Sequence, residues 1–200
     1  MKKTLRILFI GNSHTYYNDM PEMVAERFRD QGYDCQTTML AHPGWYLKQH
    51  VNEPDVRYNI RYGQYDYVVL QEHAHPFGPE EDLIEAAVIL DGWIREAGSI
   101  PVIYMTWARE NEEEEQDRMT SVHKRVADRI GALLAPVGEY WWDYKRSRHD
   151  IRLYDKDGAH ASREGSDFAA KYIWDAIYRD LSLNAMADSL MDDISHQFRL

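Results

Sequence analysis

Two hundred residues with 44% hydrophobic content is the size of one domain, long enough to bury roughly 70% of its unfolded surface. The formal net charge of −11 argues against nucleic acid or an anionic membrane as the principal partner, because both require a basic face. A single cysteine, Cys35, excludes a disulfide framework and a cysteine zinc site, fits a reducing compartment and reads as a small buried residue on a strand.

In chain order, the first element is an apolar strand over residues 5–10 that breaks at Gly11 and hands Asn12 and Ser13 to the mouth of a sheet. Lys2, Lys3 and Arg6 ahead of this run have the look of a secretion signal, but only Ile7 to Ile10 are apolar, and cleavage there would remove Ser13. No stretch approaches the ~18 apolar residues of a membrane span, so the expectation is a soluble, cytoplasmic protein. The first helix has Asp19 as its cap, Pro21 in its first turn, Glu22 completing a capping box and Gly32 as its end, with Met20, Met23, Val24 and Phe28 as its apolar stripe.

Strands follow over 36–40 and 67–70, then a helix over 80–97 that stops at Gly98 and turns Leu83, Ala87, Leu90 and Ile94 inward. After a strand over 101–105, a helix starts near Asn111, with Glu112 to Glu115 complementing its positive end. Consecutive carboxylates on a helix point in different directions, so this acidic run reads as a solvated helix start. A weaker strand covers 133–137, and a last core helix starts at Ser162 and carries Phe168, Ala169, Tyr172, Ile173 and Ile177. The alternation predicts one α/β domain over residues 1–181, a three-layer α/β/α sandwich on a parallel sheet of about five strands. Residues 182–200 place Leu183, Met186, Ala187, Leu190, Met191, Ile194 and Phe198 on one face of an extra amphipathic C-terminal helix, which packs on the domain or forms a homodimer with a second copy.

A serine hydroxyl is a weak nucleophile at neutral pH and needs a base within hydrogen-bond reach and a third group to orient that base. Ser13 and the segment Asp157-Gly158-Ala159-His160 supply all three: Ser13 attacks, His160 takes its proton, and Asp157 holds the other imidazole nitrogen. Taken singly, a turn around Ser13 or a helix-capping turn at Asp157-Gly158 would explain either segment. The Gly-x-Ser-x-Gly elbow and the Walker and dinucleotide glycine patterns are absent.

Gly11-Asn12-Ser13 after the first strand and Asp157-x-x-His160 before the final core helix resemble the first and last blocks of the SGNH (GDSL-like) hydrolase superfamily, over about residues 4–180. The resemblance implies a flavodoxin-like sheet and hydrolysis of carboxylic esters through an acyl-enzyme, with no cofactor and no metal. It also implies an oxyanion hole: the backbone N–H of Ser13, that of Gly44 in Ala41-His42-Pro43-Gly44-Trp45, and a side-chain donor after the third strand. The family's Gly-x-Asn-Asp block is missing there. Gln71 is the expected replacement because its amide donates at every pH, with His73, at the asparagine position by ungapped counting, as the alternative.

Trp45, Tyr46 and Trp107 are candidate substrate-binding aromatics for a sugar ring or acyl chain. The family includes lipases, thioesterases and carbohydrate deacetylases. A short-acyl esterase such as a carbohydrate O-deacetylase is favoured, acting on a small-molecule or carbohydrate ester, because no apolar lid is apparent. Two alternatives stay open: a noncatalytic carbohydrate-binding module on the same fold, and a metal-dependent hydrolase gathering His14, Glu72, His73, His75 and His160 at one sheet edge.

Overall fold

The computed structural model describes residues 4–147 and 150–197. The five apolar runs form β1 (Thr4–Gly11), β2 (Asp34–Ala41), β3 (Tyr67–Gln71), β4 (Ile100–Tyr104) and β5 (Leu133–Ala135), all parallel in the order β2-β1-β3-β4-β5. The helices are α1 (Ser13–Tyr16), α2 (Met20–Asp30), α3 (Leu47–His50), α4 (Pro54–Tyr62), α5 (Glu80–Glu96), α6 (Glu114–Ile130), α7 (Val137–Ser147) and α8 (Arg163–Gln197).

Strand side chains alternate between the two faces, and both faces of the central strands are covered, which is why β3 and β4 read as apolar runs whereas the edge strand β2 keeps Gln36, Thr37 and Thr38. Ile7, Phe9, Tyr67 and Val69 enter one core, closed by Val24 and Phe28 of α2, Trp141 of α7 and Ile173 of α8. Leu8, Ile10, Val68 and Leu70 enter the other, closed by Ile60 of α4, Leu90 of α5 and Val126 of α6. The fold is therefore the three-layer α/β/α sandwich expected. Cys35 lies buried on β2, also as expected.

Several local expectations are corrected. Asp19 precedes α2 in a left-handed conformation (φ 57°) without a side-chain capping bond, and Glu22 is taken by Arg29 at 2.5 Å. α6 begins at Glu114 because residues before it turn, with Glu112 N donating to the Arg109 carbonyl at 3.0 Å. β5 stops at Ala135 because Pro136 has no N–H to donate to the ladder, and its carbonyl accepts from Tyr140 N in the following helix.

The extra C-terminal helix is a continuation of α8. Residues 178–186 hold neither Gly nor Pro, and Ser182 and Asn184 bond back one turn to Tyr178 and Asp180. Leu183, Met186 and Met191 on the expected apolar face are exposed. The side chains of Leu190 and Ile194, and all of Phe198, lie outside the described residues. Among the described residues no helix is long and apolar enough to cross a membrane.

Candidate active site

From β1 the chain crosses to β2 on one side, whereas β3 and β4 build outward on the other; ligands of open α/β sheets bind at the carboxyl ends of strands flanking such a reversal. β1 ends there at Gly11, where a Cβ would stand 2.5 Å from both Gln71 Oε1 and Thr15 Oγ1. Glycine thus admits the end of β3 against the end of β1. Gln71 Oε1 accepts from Asn12 N and from Thr15 Oγ1, each at 2.8 Å. Asn12 pins the same turn, accepting from His14 N at 3.0 Å and donating from Nδ2 to the Trp45 carbonyl at 2.9 Å. The turn opens α1 with Ser13 as its first residue, so the Ser13 N–H has no partner within the helix.

His160 Nε2 lies 2.8 Å from Ser13 Oγ, and His160 Nδ1 lies 2.6 Å from Asp157 Oδ2. Asp157 Oδ1 accepts from the Ala159 and His160 amides at 2.9 and 3.0 Å, so one loop orients its own carboxylate. Partial burial alone would raise the Asp157 pKa, but the bonds from the His160 ring and these two amides outweigh it and bring the value to about 2. An ionised carboxylate only accepts, so Nδ1 carries the imidazole proton and Nε2 turns its lone pair to the serine hydroxyl. Tyr17 stacks on the imidazole at 4.2 Å and 9°.

A cleft of about 350 Å³ opens beside Ser13 and His160, with Gly44 and His73 in its wall. Gly44 sits at φ 70°, and its N–H has no backbone acceptor among the described residues. The His73 ring packs on Tyr46 at 4.4 Å, and its Nδ1 is 3.0 Å from the Pro76 carbonyl.

Gln71, the expected side-chain oxyanion donor, is fully buried behind the turn that carries Ser13, with Nε2 donating to the Glu72 carbonyl and Oε1 occupied as above. It fastens β1 to β3 and does not line the cleft. Trp107 is likewise removed from substrate: it is fully buried, stacks on Trp141 at 3.8 Å, and donates from Nε1 to the Ala159 carbonyl at 2.9 Å, bracing the Asp157 to His160 loop. Trp45 packs on His42 and His50, outside the cleft wall, and Tyr46 reaches the site only through His73.

The wall also holds Tyr16, Tyr17, His14, His75 and Arg109, none of which was expected to bind substrate. Tyr16 ends α1 and Tyr17 follows it, a nearness to Ser13 in sequence that is a signal for them. His14 is held well below the ordinary imidazole value by burial and then by neighbouring histidines; His75 falls to about 4 through burial and then the Arg109 charge. The Nε2 atoms of both are buried without a partner. Among the described residues no three His, Cys, Asp or Glu side chains are arranged to hold a metal ion.

Glu72, a ligand in the metal alternative, instead accepts from His73 N at 2.7 Å and Leu47 N at 3.2 Å, joining the β3 loop to α3. Burial raises its pKa to about 7 from the ordinary 4.5, against the pull of those two amides. A carboxyl raised in the folded state contributes stability that is full below the unfolded value and lost as pH rises through the folded one. Urea titrations of Glu72→Gln are therefore expected to show a flatter fall in stability between about pH 4.5 and 7 than the parent protein shows; parallel curves would contradict the burial effect.

No family model and no curated protein matches the sequence. Solved structures do match. A protein from Slackia heliotrinireducens described as an SGNH hydrolase superposes with a TM-score of 0.75 at 28% identity, covering 88% of this chain and 100% of its own. The psychrotrophic esterase EstA from Pseudoalteromonas sp. superposes with a TM-score of 0.67 at 14% identity over 88% of this chain and 98% of that one. A variant of Axe2, an acetyl-xylooligosaccharide esterase from Geobacillus Stearmophilus, gives 0.67 at 13% identity over 88% and 96%. The likeness to the last two is one of fold.

Proposed function

We propose that this chain, an SGNH-type serine ester hydrolase, removes short acyl groups, acetyl on a carbohydrate above all, through an acyl-enzyme on Ser13. The unbroken hydrogen-bond chain from Asp157 through His160 to Ser13 Oγ carries the proposal. Ser13 Oγ attacks the acyl carbon while His160 Nε2 takes its proton, and Asp157 stabilises the imidazolium. The backbone N–H groups of Ser13 and Gly44 donate to the oxyanion. The C–O bond then breaks, the alcohol leaves with the proton from His160, and water repeats the sequence on the acyl-enzyme to free the acid and Ser13. With its Nδ1–H turned to the Pro76 carbonyl, His73 donates from Nε2 only as an imidazolium, so the two amides are the constant part of the hole.

The short acyl group is supported by the size of the cleft, about 350 Å³, and by the histidines, tyrosines and Arg109 in its wall. Axe2, by its name, acts on acetylated xylooligosaccharides. With 4-nitrophenyl esters, kcat/KM is expected to be at least about tenfold higher for acetate than for octanoate. A preference for octanoate would overturn the short-acyl assignment.

A further inference from the structure

The protein carries a net charge of −11, yet among the described residues no aspartate or glutamate lines the cleft beside Ser13; its ionisable neighbours there besides His160 and the two tyrosines are His14, His73, His75 and Arg109. Arg27, Arg29, Arg61, Arg125 and Arg146 each hold a carboxylate at 2.5 to 2.8 Å. Arg109 holds none: among the described residues its guanidinium has no ion pair and no hydrogen bond. The main chain on either side of it is fixed, however. Ala108 N donates to Gln116 Oε1, and Glu110 N donates to the Gly158 carbonyl, both at 2.8 Å, which ties Arg109 to the loop that carries Asp157 and His160. Glu112, Glu114 and Glu115 meet Arg109 only in an adjoining hollow that does not contain Ser13, and Glu115 faces Arg118 at 3.5 Å.

An uncommitted guanidinium on a fixed stretch of main chain, lining the cleft that holds Ser13, can present its donor fork to whatever enters. We propose that Arg109 is a specificity-determining residue that binds an anionic group, a carboxylate or a phosphate, carried by the ester substrate near its scissile bond. This rests on the assignment of Ser13 as the nucleophile and narrows the substrate to acidic esters. Binding such a group also accounts for an acidic protein keeping carboxylates out of this one wall.

The test pairs esters that differ in charge: 4-acetoxybenzoate with 4-acetoxybenzamide, where the charge is on the alcohol, and 4-nitrophenyl hydrogen succinate with 4-nitrophenyl butyrate, where it is on the acyl group. 4-Acetoxyphenyl phosphate distinguishes phosphate from carboxylate. For the favoured pair, the ratio of kcat/KM for the charged over the neutral ester is expected to fall about tenfold or more from wild type to Arg109→Gln, mostly through KM, with Arg109→Lys in between. Ratios unchanged by Arg109→Gln in every pair would overturn the proposal. Binding is also read without turnover, by NMR titration of benzoate against benzamide: benzoate should bind wild type more tightly and lose that advantage in Arg109→Gln, and equal binding of the two by wild type would overturn it. Failure of all the esters to turn over, with benzoate selectivity intact, would instead strike the esterase assignment and leave the anion site standing.

Discussion

Ser13→Ala and His160→Ala are each expected to lower kcat on 4-nitrophenyl acetate by on the order of 10⁴-fold or more, and the double variant is expected to lose no more than either single one. The reason is the geometry of one contact. Ser13 Oγ and His160 Nε2 are 2.8 Å apart, so removing either group leaves the other with no proton to give or take. A fluorophosphonate reports the same state without a substrate: intact mass should show one adduct, mapped to Ser13 and much reduced in His160→Ala. Cys35→Ser serves as the control, because that thiol is buried on β2 and burial pushes its pKa up to about 12. Full activity in Ser13→Ala would end the acyl-enzyme proposal.

Gln71→Ala is expected to cost about 3 kcal/mol of stability, since it strands the buried Asn12 N–H and the Thr15 hydroxyl and opens a void between β1 and β3. For a domain of this size that is a fall of about 6–12 °C in Tm by thermal denaturation. Turnover at a temperature where the variant is folded should also fall, because the turn that presents Ser13 loses its anchor. Gln71→Glu keeps the two accepted bonds but buries a carboxyl, which favours its neutral form. It should recover part of the lost Tm at acid pH, where that carboxyl is protonated, and a Tm no higher there than that of Gln71→Ala would show that the accepted bonds do not hold the turn.

The parts of this fold legible in the sequence are those written in one segment. The strands are plain because burial on both faces leaves no polar position in runs such as Val68-Val69-Leu70. The proposed base and orienter are plain because His160 and Asp157 stand only three positions apart on one loop. α4 is not legible because its buried positions reduce to Val56 and Ile60 among Arg, Tyr and Asn, and α7 because its first residue, Val137, continues the apolar run of β5.

Gln71 was misplaced for a different reason: what its amide faces is decided by the end of β1, 59 residues away, and by a glycine small enough to let it approach. Trp107 has the composition of a sugar platform, but Trp141 covers it, and nothing near Trp107 announces that partner. Arg109 sits in a charged loop that looks like any solvated turn; only the folded arrangement shows it reaching the cleft.

The proposed nucleophile, Ser13, and its proposed base, His160, stand 147 residues apart, one following the first strand and the other preceding the last helix. During synthesis Ser13 therefore emerges early, on a strand that must wait for β3 to flank it, and His160 arrives after the sheet is written. No shorter product of the same message that stops before residue 160 can hydrolyse an ester through this site, however well its sheet forms. Ester hydrolysis through this site would thus report that the chain has been made at least as far as residue 160 and that its late loop has closed on its first strand.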